Sequence, residues 1–166
     1  IAADPDTTTP TVEDSFEVVT YTGSSTSGTG QTLNFGFNPD LVIIKSRTTN
    51  TSWAAMDTVR GAGSRLRLNL SSAEVDNTYG GIQSFNGDGS VTFEGTSDTG
   101  NVDDTGRDYV AYAWKAGDHD DNLPQINTEG TISSVTSVNE AAGFSIVKYT
   151  GNGNTAQQSY GHGLSQ

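Results

Sequence analysis

Apolar side chains along this chain recur at every second position or in short unbroken runs. They almost never show the three- and four-residue spacing of an amphipathic helix. Phe16–Tyr21 (FEVVTY) is β-branched and aromatic and is ended by the turn-rich run Thr22–Gly30. Thr32–Phe37 (TLNFGF) alternates, and Asn38-Pro39-Asp40 follows as a turn whose proline presets the bend. Leu41–Lys45 (LVIIK) is an unbroken apolar run, the pattern of a strand covered on both faces. Arg65–Leu70 (RLRLNL) puts Leu66, Leu68 and Leu70 on one side, with Arg65, Arg67 and Asn69 on the other. Asn86-Gly87-Asp88-Gly89 is a hairpin signal leading into Ser90–Gly95 (SVTFEG). In Tyr109–Lys115 (YVAYAWK), Val110, Tyr112 and Trp114 share one face, expected to be the core face, with the small Ala111 and Ala113 behind. Short strands about ten residues apart, joined by Gly, Asn and Asp turns, predict an all-β fold. The expected form is an antiparallel two-sheet β-sandwich of jelly-roll or concanavalin-like type.

One feature concerns organisation. Phe16–Gly23 reads FEVVTYTG and Phe144–Gly151 reads FSIVKYTG, with Phe, Val, Tyr, Thr and Gly identical at an offset of 128 positions. Val18 against Ile146 is conservative, and Phe35-Gly36 has a counterpart in Tyr160-Gly161. Apolar and turn positions agree together, as in a true internal repeat. A period this long signals tandem domains, since solenoid units run ~20–50 residues. The expected division is an exposed Thr/Pro/Asp arm over 1–15 and a sandwich module over 16–117. An acidic linker with one strand (Thr131–Val138, TISSVTSV) follows over 118–143, and a second copy begins over 144–166. The chain opens at Ile1 with no leader-type pattern behind it, and reads as part of something longer.

Composition then narrows the functional classes. Twenty Asp and Glu against eight Lys and Arg give a net charge of −12 over 166 residues. Nucleic acid is not an expected partner, because phosphate contacts need clustered basic side chains. No apolar run approaches the ~20 residues of a membrane-spanning helix. The absence of cysteine removes disulfides, thiolate metal sites and cysteine nucleophiles.

The strings Tyr109–Gly117 (YVAYAWKAG), Thr131–Val138, Ala142–Gly153 (AGFSIVKYTGNG) and Tyr160–Leu164 (YGHGL) resemble a repeated module of bacteriophage virion proteins. So do Asp40–Lys45 (DLVIIK), Trp53 with Asp57, and Arg60-Gly61. That module is common in tail fibres and related proteins of marine and cyanobacterial phages. The resemblance implies a lectin-like β-sandwich on the virion surface, outside the cell, occurring in tandem. Its implied partners are copies of itself, other virion proteins and a host surface glycan, in a homo-oligomer. The alternatives are a capsid decoration or donor-strand filament subunit, and a secreted bacterial adhesin. No catalytic or binding residue carries over from it.

The chemistry legible in the residues is sparse. Only two histidines exist, His119 and His162, and no nucleophile elbow, Walker loop or dinucleotide fingerprint appears. Glu94 with Asp88 or Asp57 is the one carboxylate pairing of glycosidase type, and exposed strand carboxylates are commonplace. The chain is therefore not expected to be an enzyme. Ser84–Glu94 (SFNGDGSVTFE) is a near miss to a calcium loop and reads better as a hairpin turn. Solvated acidic loops need no metal, so no cofactor is expected. Ca²⁺ held by Asp98, Asp103 and Asp104 is the alternative left open. Sugars stack on exposed aromatic faces beside hydroxyl-binding Asp and Asn, which makes Trp53, Tyr79, Asp76 and Asn77 the candidate carbohydrate-binding set. Trp114 is expected in the core.

Overall fold

A computed structural model describes residues 15–24, 30–76, 80–93, 102–117 and 124–165. They form eleven strands and no helix. In chain order these are β1 (Phe16–Thr22), β2 (Thr32–Asn34), β3 (Leu41–Ser46), β4 (Ala54–Asp57), β5 (Leu66–Arg67) and β6 (Ile82–Phe85). Then come β7 (Ser90–Phe93), β8 (Asp108–Trp114), β9 (Gln125–Asn127), β10 (Ser134–Asn139) and β11 (Phe144–Tyr149). They make a five-stranded sheet in the order β1-β8-β3-β4-β5 and a three-stranded sheet β2-β7-β6. A further three-stranded sheet has the order β11-β10-β9. All strand pairs are antiparallel.

The first two sheets close face to face over one core, so the chain is an antiparallel β-sandwich. Val42, Ile44, Ala54, Met56, Tyr109, Ala111 and Ala113 come from the large sheet, and Leu33, Ile82, Val91 and Phe93 from the small one. Phe35, Phe37 and Val102 complete the core from the connecting segments. Here the structure corrects the expected face of β8. Tyr109, Ala111 and Ala113 point inward and are fully buried, whereas Val110, Tyr112 and Trp114 lie half-buried on the outer face. The reason is volume. Phe35, Phe37, Ile82 and Phe93 share the core with this face, and beside Tyr109 the small Ala111 and Ala113 leave them room that Tyr112 and Trp114 would not. β3 alternates in the same way: Val42, Ile44 and Ser46 are buried, while Leu41, Ile43 and Lys45 are half-covered.

The Asn86-Gly87-Asp88-Gly89 segment is the hairpin between β6 and β7, with both glycines at positive φ. Its side chains serve the turn itself. Asn86 Nδ2 donates to Ser90 Oγ and Thr92 Oγ1, and Asp88 Oδ1 accepts the Ser90 amide. Arg65–Leu70 is corrected too. Only Leu66 and Arg67 are strand, Arg65 is buried, and Leu68 and Leu70 stand exposed.

The third sheet lies against the outer face of the large sheet. Phe144 stacks on Trp114, and the fully buried Asn139 donates through Nδ2 to the Lys115 carbonyl at 3.4 Å. The repeated segments form β1 and β11, and among the described residues each is an edge strand paired on one side only, β1 with β8 and β11 with β10.

Candidate carbohydrate-binding face

Trp53 immediately precedes β4, on the face that carries Ala55 and Asp57 outward. The pairing of Ala55 with Leu66 and Ala54 with Arg67 continues one step, because the Leu68 amide donates to the Trp53 carbonyl at 3.1 Å. Leu68 therefore lies opposite Trp53. The Trp53 amide in turn donates to Asn69 Oδ1 at 3.2 Å, fixing the β5 end against it. The indole stacks on Tyr112 with ring centroids 6.2 Å apart and planes 27° from parallel. Trp53 nonetheless remains 38% exposed, with the exposed Leu68 and Asn69 next to it. The ring is held on the protein side and open to solvent. Beside it, Lys45 Nζ donates to the Ser46 carbonyl at 2.8 Å and Ser46 Oγ meets Thr49 Oγ1 at 2.8 Å, so the neighbouring loop is tied down.

The other candidate sugar-binding residues do not gather here. Arg65 bridges to Val75, which places Asp76 at the opposite end of β5 from Trp53 and across that strand from it, about four strand positions or ~14 Å along the strand direction alone. Asn77 and Tyr79 lie outside the described residues, as do Asp98, His119 and Glu94. His162 is exposed, and its Nδ1 accepts the Leu164 amide.

Asp103 and Asp104 are described, and their carboxylates diverge. Asp103 is fully buried and accepts the amides of Ser24 at 2.9 Å and Gln31 at 3.5 Å, joining the two ends of that loop. Burial pushes its carboxyl above the usual carboxylate range, against the two amides that pull it down. Asp104 turns the other way, pairing with Arg107 and accepting the Tyr109 hydroxyl at 3.2 Å. Burial pushes the Tyr109 phenol up to about 12, and that of Tyr21 well above its ordinary value. Among the described residues, no three His, Asp or Glu side chains converge as a metal site would require.

A second aromatic surface is not legible in the candidate set. Tyr149, at the end of β11, stacks on Tyr160 with centroids 4.4 Å apart and planes 15° from parallel. The two rings are 50% and 46% exposed. Next to them a cavity of ≈ 270 Å³ opens between β11 and the large sheet, lined by Asp57, Arg60, Leu66 and Ile146–Tyr149. One of its walls is a charge network. Arg60 Nε reaches Asp57 Oδ2 at 2.6 Å, Nη1 reaches Glu74 Oε2 at 3.1 Å, and Nη2 donates to the Ala55 carbonyl at 2.9 Å. Arg60 and Arg107 thus both pair with acidic neighbours. Tyr149 reads in sequence as one more alternating strand residue, and only the placement of β11 reveals its exposure.

No helix among the described residues is long and apolar enough to cross a membrane. No curated protein and no solved structure matches this chain. A family model described as a domain of unknown function (DUF7483) matches residues 11–166, from before β1 to beyond β11, and the chain belongs to that family.

Proposed function

We propose that the chain is a non-catalytic surface module of a bacteriophage particle, of tail-fibre or appendage type, that recognises host glycans. Trp53 carries the reading. Its ring is pre-positioned on Tyr112 and stays open to solvent, with the exposed Leu68 opposite it and the amide side chain of Asn69 bonded to its backbone. A sugar offers an apolar C–H face for such a ring and hydroxyls for such an amide. Because the platform is already ordered, little side-chain entropy is lost on binding. The virion setting is supported by the sequence resemblance to phage appendage modules.

A glycan array probed with the whole protein tests this. Binding to a bacterial surface polysaccharide is expected, and Trp53→Ala abolishes it while leaving the fold intact by circular dichroism. If the native chain binds no glycan, or Trp53→Ala binds as well as the native chain, the proposal fails. A reducing-end assay on the bound polysaccharide separates recognition from depolymerisation. A second reading, a self-assembling structural subunit, is favoured by β11, whose residues match a position it does not occupy.

A further inference from the structure

We infer that β11 is a second version of β1, fitted to take β1's place against β8 of another copy of this chain, so that copies join head to tail by strand exchange. The β1 position makes four demands. Phe16 packs on Trp114, with centroids 4.9 Å apart. Val19 lies opposite the buried Ala111 on the core side. Tyr21 stacks on Tyr109 at 5.2 Å, sits 5.5 Å from Phe93 and donates its hydroxyl to the Val102 carbonyl. Gly23 must be glycine, because a Cβ there would stand 2.2 Å from the Asp104 carbonyl oxygen.

β11 and the residues after it supply each of these in order: Phe144, Val147, Tyr149 and Gly151, with Ile146 in place of Val18. The differences are Lys148 for the exposed Thr20 and Ser145 for Glu17, whose carboxylate accepts the Gly36 amide; at the β1 position only that one bond is missing, while β11 leaves its ladder with β10 for the one with β8.

In its own place β11 uses neither of two of these residues as β1 does, for Tyr149 only stacks on Tyr160 at the surface. Tyr149 is half exposed, where Tyr21 reaches into the core, and around Gly151 nothing lies within 4 Å of where a Cβ would stand. The strand retains a core tyrosine and an obligatory glycine that only the β1 position would use. Exchange is also topologically open. Both β1 and β11 are edge strands held by a single ladder, and an edge strand is a template for pairing with another chain. Donor strand and acceptor position are different parts of the surface, so the contact is heterologous and propagates into rings or open chains.

Cysteine trapping tests this on the full chain, which has no cysteine of its own. Ala111 faces the core while β11 lies on the outer side of the same sheet, so Ala111 and Val147 cannot meet in the structure as folded. Chains carrying A111C alone and V147C alone are mixed at high concentration under mild oxidation. A disulfide-linked pair is expected, as is a ladder of multimers when both substitutions sit in one chain. The V19C/A111C chain, whose positions pair directly in β1 and β8, closes internally and proves the geometry competent. Adding G151V to the V147C chain is expected to cut the cross-link at least tenfold while leaving the urea midpoint of the monomer unchanged. The inference is overturned if V19C/A111C closes but the mixture does not cross-link, if the A111C/V147C chain closes only on itself, or if G151V leaves cross-linking untouched.

Discussion

Phe144 stacks on Trp114 with ring centroids 6.2 Å apart and planes 23° from parallel, and through this contact the third sheet is seated on the sandwich. Trp114 is thereby enclosed on both sides, since Phe16 packs on it from β1. Truncating a fully buried phenylalanine costs about 3–5 kcal/mol. Phe144 is half-buried, so Phe144→Ala is expected to cost about 2 kcal/mol, including the ~1 kcal/mol that an aromatic pair adds beyond its area. In a Trp53→Phe background, where Trp114 is the only indole, its fluorescence would shift red as the ring is uncovered. A urea midpoint unchanged by Phe144→Ala would mean that the third sheet is seated by other contacts.

The same indole marks where sequence reasoning held and where it did not. Alternation in Tyr109–Lys115 identified the strand, because a pleated backbone imposes period two whichever way it faces. It could not say which side is inside. Three large side chains against two alanines suggest a core face, yet Phe93 of the opposite sheet and Phe35 and Phe37 of the connecting segment fill the interior and need the alanines there. Of the large outer side chains, Trp114 is covered instead by Phe144 of β11, thirty positions downstream, and Tyr112 by Trp53 just before β4, two ladders away. Trp53 was legible as a candidate platform because it neighbours polar turns. Tyr149 was not, since local pattern carries no information about how a distant sheet is seated. β9 was missed because three residues, one of them the exposed Ile126, leave almost no periodic signal.

Asp40 is fully buried and holds the end of β8 to the start of β3. It accepts the amides of Ala116 at 2.8 Å and Gly117 at 2.9 Å on one oxygen and the Thr58 hydroxyl at 2.9 Å on the other. Asp40→Ala strands two buried amides at about 1–3 kcal/mol each, so a loss of about 3 kcal/mol or more is expected. Asp40→Asn can still offer a carbonyl to the amides and its NH₂ to the hydroxyl, and is expected to cost about 1 kcal/mol. Urea unfolding of the two variants decides it, and equal losses would refute the hydrogen-bond account.

The same residue gives a pH dependence. Burial raises the Asp40 carboxyl above its ordinary value of 3.8, outweighing the three hydrogen bonds and Lys115 that lower it. In the unfolded chain it titrates near that ordinary value, so between the two the native state holds more protons. Its contribution is full below the unfolded value and is lost as pH rises through the folded one. Asparagine does not titrate. The stability gap between the native chain and Asp40→Asn should therefore be wider at about pH 4 than at about pH 7. A gap that narrows on acidification would reverse the sign assigned to Asp40.

Arg60 makes three bonds from one guanidinium, to Asp57, Glu74 and the Ala55 carbonyl, and Asp57 is buried beneath it. Removing one partner of a buried pair leaves an uncompensated charge at about 3–5 kcal/mol. Arg60→Ala is expected near the lower end, because Asp57 keeps the Arg60 backbone amide at 2.8 Å. Arg60→Lys keeps the charge and loses the fork, and should fall between the two. In a double-mutant cycle with Asp57→Ala, a coupling of about 1–3 kcal/mol is expected, and a coupling near zero would reduce the network to a surface contact.

Gly23 and Gly151 end the two repeated segments, and their surroundings predict opposite responses to one added methyl group. At Gly23 the new Cβ would sit 2.2 Å from the Asp104 carbonyl oxygen and 2.9 Å from the Asp103 carbonyl carbon, so backbone must move. That backbone is held by the Gly23 amide donating to Arg107 at 2.8 Å and the Gly106 amide donating to Gly23 at 2.9 Å. Forcing a methyl into such a contact costs about 1–3 kcal/mol or more, and here both hydrogen bonds are also disturbed. Gly151 has open space around it and an ordinary φ, so Gly151→Ala should be neutral, or stabilising by up to about 1 kcal/mol through the narrower unfolded ensemble. Thermal unfolding of the two single variants measures the contrast. Equal destabilisation would mean that β11 already makes the contacts of β1 in its own place, and that the match between the segments reflects a shared local demand.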